Sequence, residues 1–193
     1  MRTNLWIFVI SAMLTLSCGS LASAALLLEP GVAYRTGTYD GGAGNTGKVT
    51  GVGLNARAAF ALPVLFAGVD LSYMFGNTTP DNGPSSDTTA VSFGPVVGAS
   101  LPALPLRLWA AYLLWDYSTQ KISGPPSYDV ISSGTAMKLG LGYTAIPLLS
   151  VNLEYVMHTY TKAENKLTST TSDLSPNVKS NEIVISASVP FEL

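Results

Sequence analysis

From Leu65 to Phe75 the chain alternates: Leu65, Ala67, Val69, Leu71, Tyr73 and Phe75 fall on one side, and Gly68, Asp70 and Ser72 on the other. The last strand does the same, with Ile183, Ile185, Ala187, Val189 and Phe191 opposite Glu182, Ser186 and Ser188. A period of two marks strands with two unlike faces. Bounded by turn chemistry, this alternation predicts strands at 26–39, 48–61, 65–76, 89–101, 106–117, 134–145, 149–161 and 181–191. Eight is an even number, and the connections alternate between long polar segments, such as DGGAGNTG, and tight apolar ones, such as ALPVL. The tight turns carry Pro63, Pro105 and Pro147, evenly spaced along the chain, and read as a repeated hairpin pair. The pattern therefore predicts an all-β fold, an eight-stranded antiparallel up-and-down barrel.

The facing follows from what the polar side is made of. A surface in water carries many long charged side chains, whereas this polar side is mostly Gly, Ser and Ala with about one ionisable group per strand. Small residues suit a crowded lumen, so the apolar side is expected to face lipid, making the barrel transmembrane. Aromatics at the strand ends form two expected girdles, Tyr73, Phe75, Trp115, Tyr117, Tyr155 and Tyr160 at one, and Phe60, Phe66, Tyr143 and Phe191 at the other. The apolar stretch 94–115 holds one charge, Arg107, but Pro95, Pro102 and Pro105 break it into two strands about a turn instead of one helix. Pro95 calls for a bulge within its strand. LRLWAAYLLW is apolar on both sides, so alternation leaves its facing open.

Composition adds a compartment. Arg2, the apolar run LWIFVISAMLTL and the small-x-small triplet Ala22-Ser23-Ala24 read as a signal peptide over 1–24, cleaved after Ala24, with 25–193 as a single barrel domain. The one cysteine, Cys18, lies in that leader, where Leu16-Ser17-Cys18-Gly19 loosely follows a lipobox and leaves lipidation open. Charged residues make up 11% of the chain and hydrophobic ones 47%, against about 25% charged in an ordinary soluble domain. Without Arg2, nine basic residues face twelve acidic ones, so the chain has no footprint for nucleic acid.

Candidate chemistry is sparse. His158 is the sole histidine; Tyr160, not a serine, stands two residues after it, and it reads as a polar residue at the outer rim. No catalytic residue, cofactor or metal site is expected: Asp40, Asp81 and Asp87 have generic spacing for calcium, and the glycine-rich 41–47 lies in no strand-to-helix setting that would cradle phosphate. The informative set is a lumen charge network of Arg35, Arg57, Asp70, Arg107, Lys138 and Glu154, with Glu29 and Glu182 expected at the rims in water. Arg57 and Asp70 are equidistant from the turn at Pro63–Val64 and should face each other across their hairpin.

Signal peptide, strand number, loop rhythm, alternation and the final strand NEIVISASVPFEL together resemble the small eight-stranded outer-membrane barrels of Gram-negative bacteria, the OmpA and OmpX type. The resemblance implies an outer-membrane protein with both barrel termini in the periplasm and outer-membrane lipid and lipopolysaccharide around the wall. It also implies a C-terminal strand read by the barrel-assembly machinery. Members usually end in an aromatic residue, whereas here Phe191 precedes Leu193 by two positions. The expected role is non-enzymatic: envelope structure, adhesion or surface interaction with an extracellular partner through long loops, the lumen plugged by paired charges. A narrow porin-like channel for small solutes and a secreted soluble barrel binding an apolar ligand are the alternatives.

Overall fold

The computed structural model describes residues 24–42, 44–101, 104–146 and 148–193. The expected leader with Cys18, and parts of the tight turns at Pro102 and Pro147, lie outside the described residues. Eight long strands form the wall: β1 (Ala25–Asp40), β2 (Thr46–Ala61), β3 (Leu65–Pro80), β4 (Ser86–Leu101), β5 (Leu106–Ile122), β6 (Tyr128–Ile146), β7 (Leu149–Asn165) and β8 (Thr170–Ser188). The two-residue β9 (Phe191–Glu192) follows. Each strand pairs antiparallel with its sequence neighbours, and β8 returns to β1 over Gly31↔Ser188 to Asp40↔Lys179. β9 resumes that seam at Leu27↔Glu192 and Leu28↔Phe191. The wall is closed, so its backbone groups are paired all round, which is what a sheet needs to sit in hydrocarbon.

The facing is apolar outward and polar inward. Leu65, Ala67, Val69, Leu71, Tyr73 and Phe75 are exposed, while Asp70 and Ser72 between them are buried. β8 repeats this with Ile183 and Ile185 out and Glu182, Ser186 and Ser188 in. A soluble barrel binding an apolar ligand is thereby overturned, since its lumen would be the apolar side.

Two expectations are corrected, on the long connections and on two girdle aromatics, while the bulge expected at Pro95 is present and the open facing of β5 is resolved. The connections expected to be long are largely strand: β5 runs on to Ile122, β6 begins at Tyr128, β7 reaches Asn165 and β8 begins at Thr170, leaving only 123–127 and 166–169 as turns. Thr, Ser, Val and Tyr in these segments sustain a ladder, but with water on both sides they need no apolar face, so the periodic signal vanishes while the strand continues. In β5 the alternation changes phase. Leu113 is buried, Leu114 and Trp115 are both exposed and Asp116 is buried again, because β5 spends one residue more than either neighbour between Ala111 and Asp116. Pro95 faces outward beside this bulge, at the place where the β4–β5 register shifts. Finally, Phe66 and Tyr160 are buried in the lumen and do not belong to the girdles, because each lies one position out of step with the outward residues of its strand.

Candidate functional site in the barrel lumen

Inward-facing side chains of all eight strands fill the lumen, and ionisable ones from seven of them form two charged layers. Arg57 on β2 stands opposite Asp70 on β3 in the register, and its Nη2 donates to Asp70 Oδ2 at 3.0 Å. Asp70 Oδ1 accepts from Lys138 Nζ on β6 at 2.6 Å, and Lys138 lies 3.5 Å from Glu154 Oε2 on β7. Glu154 is also 3.6 Å from Arg57 and accepts from the Trp109 indole at 3.1 Å. Arg57 Nη1 and Arg107 Nη1 both donate to Glu29 Oε2, at 3.2 and 3.0 Å. Three cations and three carboxylates, all at least nine-tenths buried, thus neutralise one another in one connected cluster. Each charge there depends on its partners, because low-dielectric surroundings penalise any that stands alone.

Trp109 organises the centre of this layer. Its ring takes the Arg57 guanidinium on its face, 4.1 Å from Cζ to the ring centroid. The ring also lies against Gly140, its register partner on β6, where an added Cβ would collide with the indole. Gly140→Ala is therefore expected to destabilise the barrel by about 1–3 kcal/mol through overpacking. The midpoint of heat-modified gel migration reads this, and an unchanged midpoint would show that the ring is free to yield.

Nearer the end of the barrel that carries the 41–45 and 166–169 connections lies the second layer. His158 Nδ1 is 2.7 Å from Asp116 Oδ2, its Nε2 is 3.7 Å from Glu182, and its ring stacks on Tyr160 at 5.8 Å between centroids. Arg35 Nη1 donates to Glu182 at 3.5 Å, while its Nε and Nη2 have no partner among the described residues. Asp116 also accepts from Ser92 Oγ at 2.9 Å. The carboxylate thus sits between serine and imidazole, and the Tyr160 hydroxyl lies 3.4 Å from the same His158 Nδ1.

The structure brings Arg57, Asp70, Arg107, Lys138 and Glu154 together and sets Arg35 apart in the second layer. Glu29 and Glu182 do not sit at wet rims; they are 4% and 3% exposed, Glu29 serving the first layer and Glu182 the second. His158 is not a rim residue either, at 5% exposure. Counting by twos from Glu154 places it inward, so its burial was legible. Asp116 was not, because the extra residue in β5 interrupts the count. Among the described residues no cluster of His, Cys, Asp and Glu is arranged to hold a metal.

A closed eight-stranded wall, apolar outside and filled by buried charges inside, is a transmembrane β-barrel of the small outer-membrane kind. Solved structures show the same fold. Neisserial surface protein A is 17% identical with a TM-score of 0.55, the match covering 88% of this chain and 99% of that one. Ail, the attachment invasion locus protein of Yersinia pestis, is 16% identical with a TM-score of 0.56 over the same shares, and its complex with the heparin analogue sucrose octasulfate gives 14% and 0.58. No family model matches the chain, and no curated protein sequence matches it.

Proposed function

We propose that this protein is a non-enzymatic outer-membrane barrel whose role is surface interaction, with its lumen plugged by the charge network and its termini in the periplasm. Outer-membrane lipid and lipopolysaccharide surround the apolar belt, and the assembly machinery engages the C-terminal strand. The observation that carries the reading is the uneven height of the wall. β8 last pairs with β1 at Asp40↔Lys179, but its residues 170–173 still pair with β7. The other edge of that segment is unpaired, in water, well beyond the belt. An open strand edge is a template for an added strand, so the partner is an extended segment of an extracellular protein. Ail's name as an attachment and invasion protein agrees with such a role. The plug reading is supported by the small voids between the two mouths, about 10 Å³ beside Arg57 and Asp70 and about 20 Å³ beside Lys138 and His158.

Two measurements test this. Proteinase K, which needs no particular residue, is expected when applied to intact cells to cut in the 166–169 turn joining β7 and β8 and to spare the 62–64 turn, which should lie on the periplasmic side. Cutting confined to the other end of the barrel would invert the orientation. Thr171→Pro and Asp173→Pro remove backbone donors from the protruding edge. Cells carrying them should attach less to host-protein-coated surfaces while the barrel keeps its heat-modified migration. Equal attachment by wild type, variants and cells lacking the protein would defeat the surface role.

A further inference from the structure

We infer that the mouth of the lumen at the end carrying Ala25 and Leu193 is a binding site for a small organic carboxylate, held by charge on Arg107 and by an apolar body against Leu62, Leu101 and Leu106. The mouth opens into a cavity of about 310 Å³ in which these residues form the floor and walls.

Arg107 is only 6% exposed, and its guanidinium is half used. Nη1 donates to Glu29 Oε2. Glu29 is already shared, since that oxygen also serves Arg57 and its other oxygen accepts from Ser188 Oγ at 2.7 Å. Nη2 makes no hydrogen bond among the described residues, and Glu192, 3.8 Å away, is too far to accept. Arg107 Nε is buried with no partner and Nη2 is left to the cavity, so an acceptor for this largely buried charge can come from there. Water would satisfy the hydrogen bond but would leave the half-buried apolar walls at Leu62, Leu101 and Leu106 wet, and behind them the Phe66 ring centroid lies 5.8 Å from Arg107 Cζ. A ligand with one negative charge and a flat or short apolar body fits both.

Glu192 acts on this site as a tethered competitor. Its side chain is 59% exposed, and it sits on the two-residue β9 at the rim, close enough to draw toward Nη2 but not to bond it. An incoming carboxylate displaces it toward water. The site does not depend on which face of the membrane the protruding β7–β8 hairpin occupies, so it stands or falls apart from the surface-interaction reading.

The test uses the mature barrel in nanodiscs of zwitterionic lipid, with para-fluorobenzoate followed by fluorine NMR. Saturable line broadening is expected. Arg107→Gln should weaken the affinity about tenfold and Glu192→Gln should tighten it about threefold, with folding checked by heat-modified migration. The neutral para-fluorobenzyl alcohol and inorganic phosphate should not displace the probe, the first lacking the charge and the second the apolar body. If Arg107→Gln does not fold, Arg107→Lys serves, since its single ammonium turned to Glu29 leaves the cavity uncharged and should also weaken binding. No saturable broadening, equal affinity in both the Arg107 and Glu192 variants, or displacement by phosphate at equal concentration would each overturn the inference.

Discussion

Asp70→Ala is expected to destabilise the barrel by about 3–5 kcal/mol, the range for removing one partner from a buried ion pair. Asp70 is the carboxylate that joins Arg57 to Lys138, and both cations bond it more closely than they approach Glu154. Removing it leaves two carboxylates against three cations in a dry interior. Lys138 cannot relocate to solvent, because its side chain is 3% exposed at mid-height. The measurement is the urea midpoint of folded migration in detergent, read beside single-channel current in planar bilayers, where wild type should conduct little and the variant should open more often. A paired variant, Asp70→Ala with Lys138→Met, restores neutrality and should recover most of the lost stability. Large steady conductance from wild type, unaltered by the substitution, would instead favour the narrow channel.

The second large effect concerns the residue next to Lys138. Leu139 points the other way and is 48% exposed on the apolar outside. Leu139→Arg should cost about 2–4 kcal/mol if that surface lies near the middle of a bilayer. The same substitution at Thr168, in the turn beyond the belt, should change stability by no more than about 0.5 kcal/mol. Unfolding titrations in lipid vesicles compare the two. Equal, small effects at both positions would mean that Leu139 does not meet hydrocarbon. One residue's step along the strand thus separates a site where positive charge is required from one where it is excluded.

That step of two is also what made the fold legible. Wherever lipid lies on one side and a crowded lumen on the other, as along 65–75 and 183–191, the sequence must alternate, and counting from the Pro63–Val64 turn was enough to set Arg57 opposite Asp70. Where the wall rises into water the constraint lapses, and strands such as β8 from Thr170 read as loop. Glu29 and Glu182 looked peripheral because their strands end near them in sequence; in space Glu29 stands directly across the β1–β2 register from Arg57 and within reach of Arg107, and Glu182 lies beside His158 and Arg35. The division into two layers depends on which side chains reach across the lumen, and position along a strand does not encode that reach.

The additional residue in β5 has a consequence for how this wall can change length. Deleting a residue from the belt region of any regular strand would turn everything beyond the deletion inside out, sending charges to lipid and leucines to the lumen. Between Ala111 and Asp116 the ladder already holds one residue too many against both β4 and β6. Loss of Leu114 there would leave Leu113 and Asp116 inward and Trp115 outward, with the register made even. The bulge is thus a place in the membrane wall where a codon can be lost with the inside and outside of the barrel preserved, a slack link in a chain otherwise locked by parity.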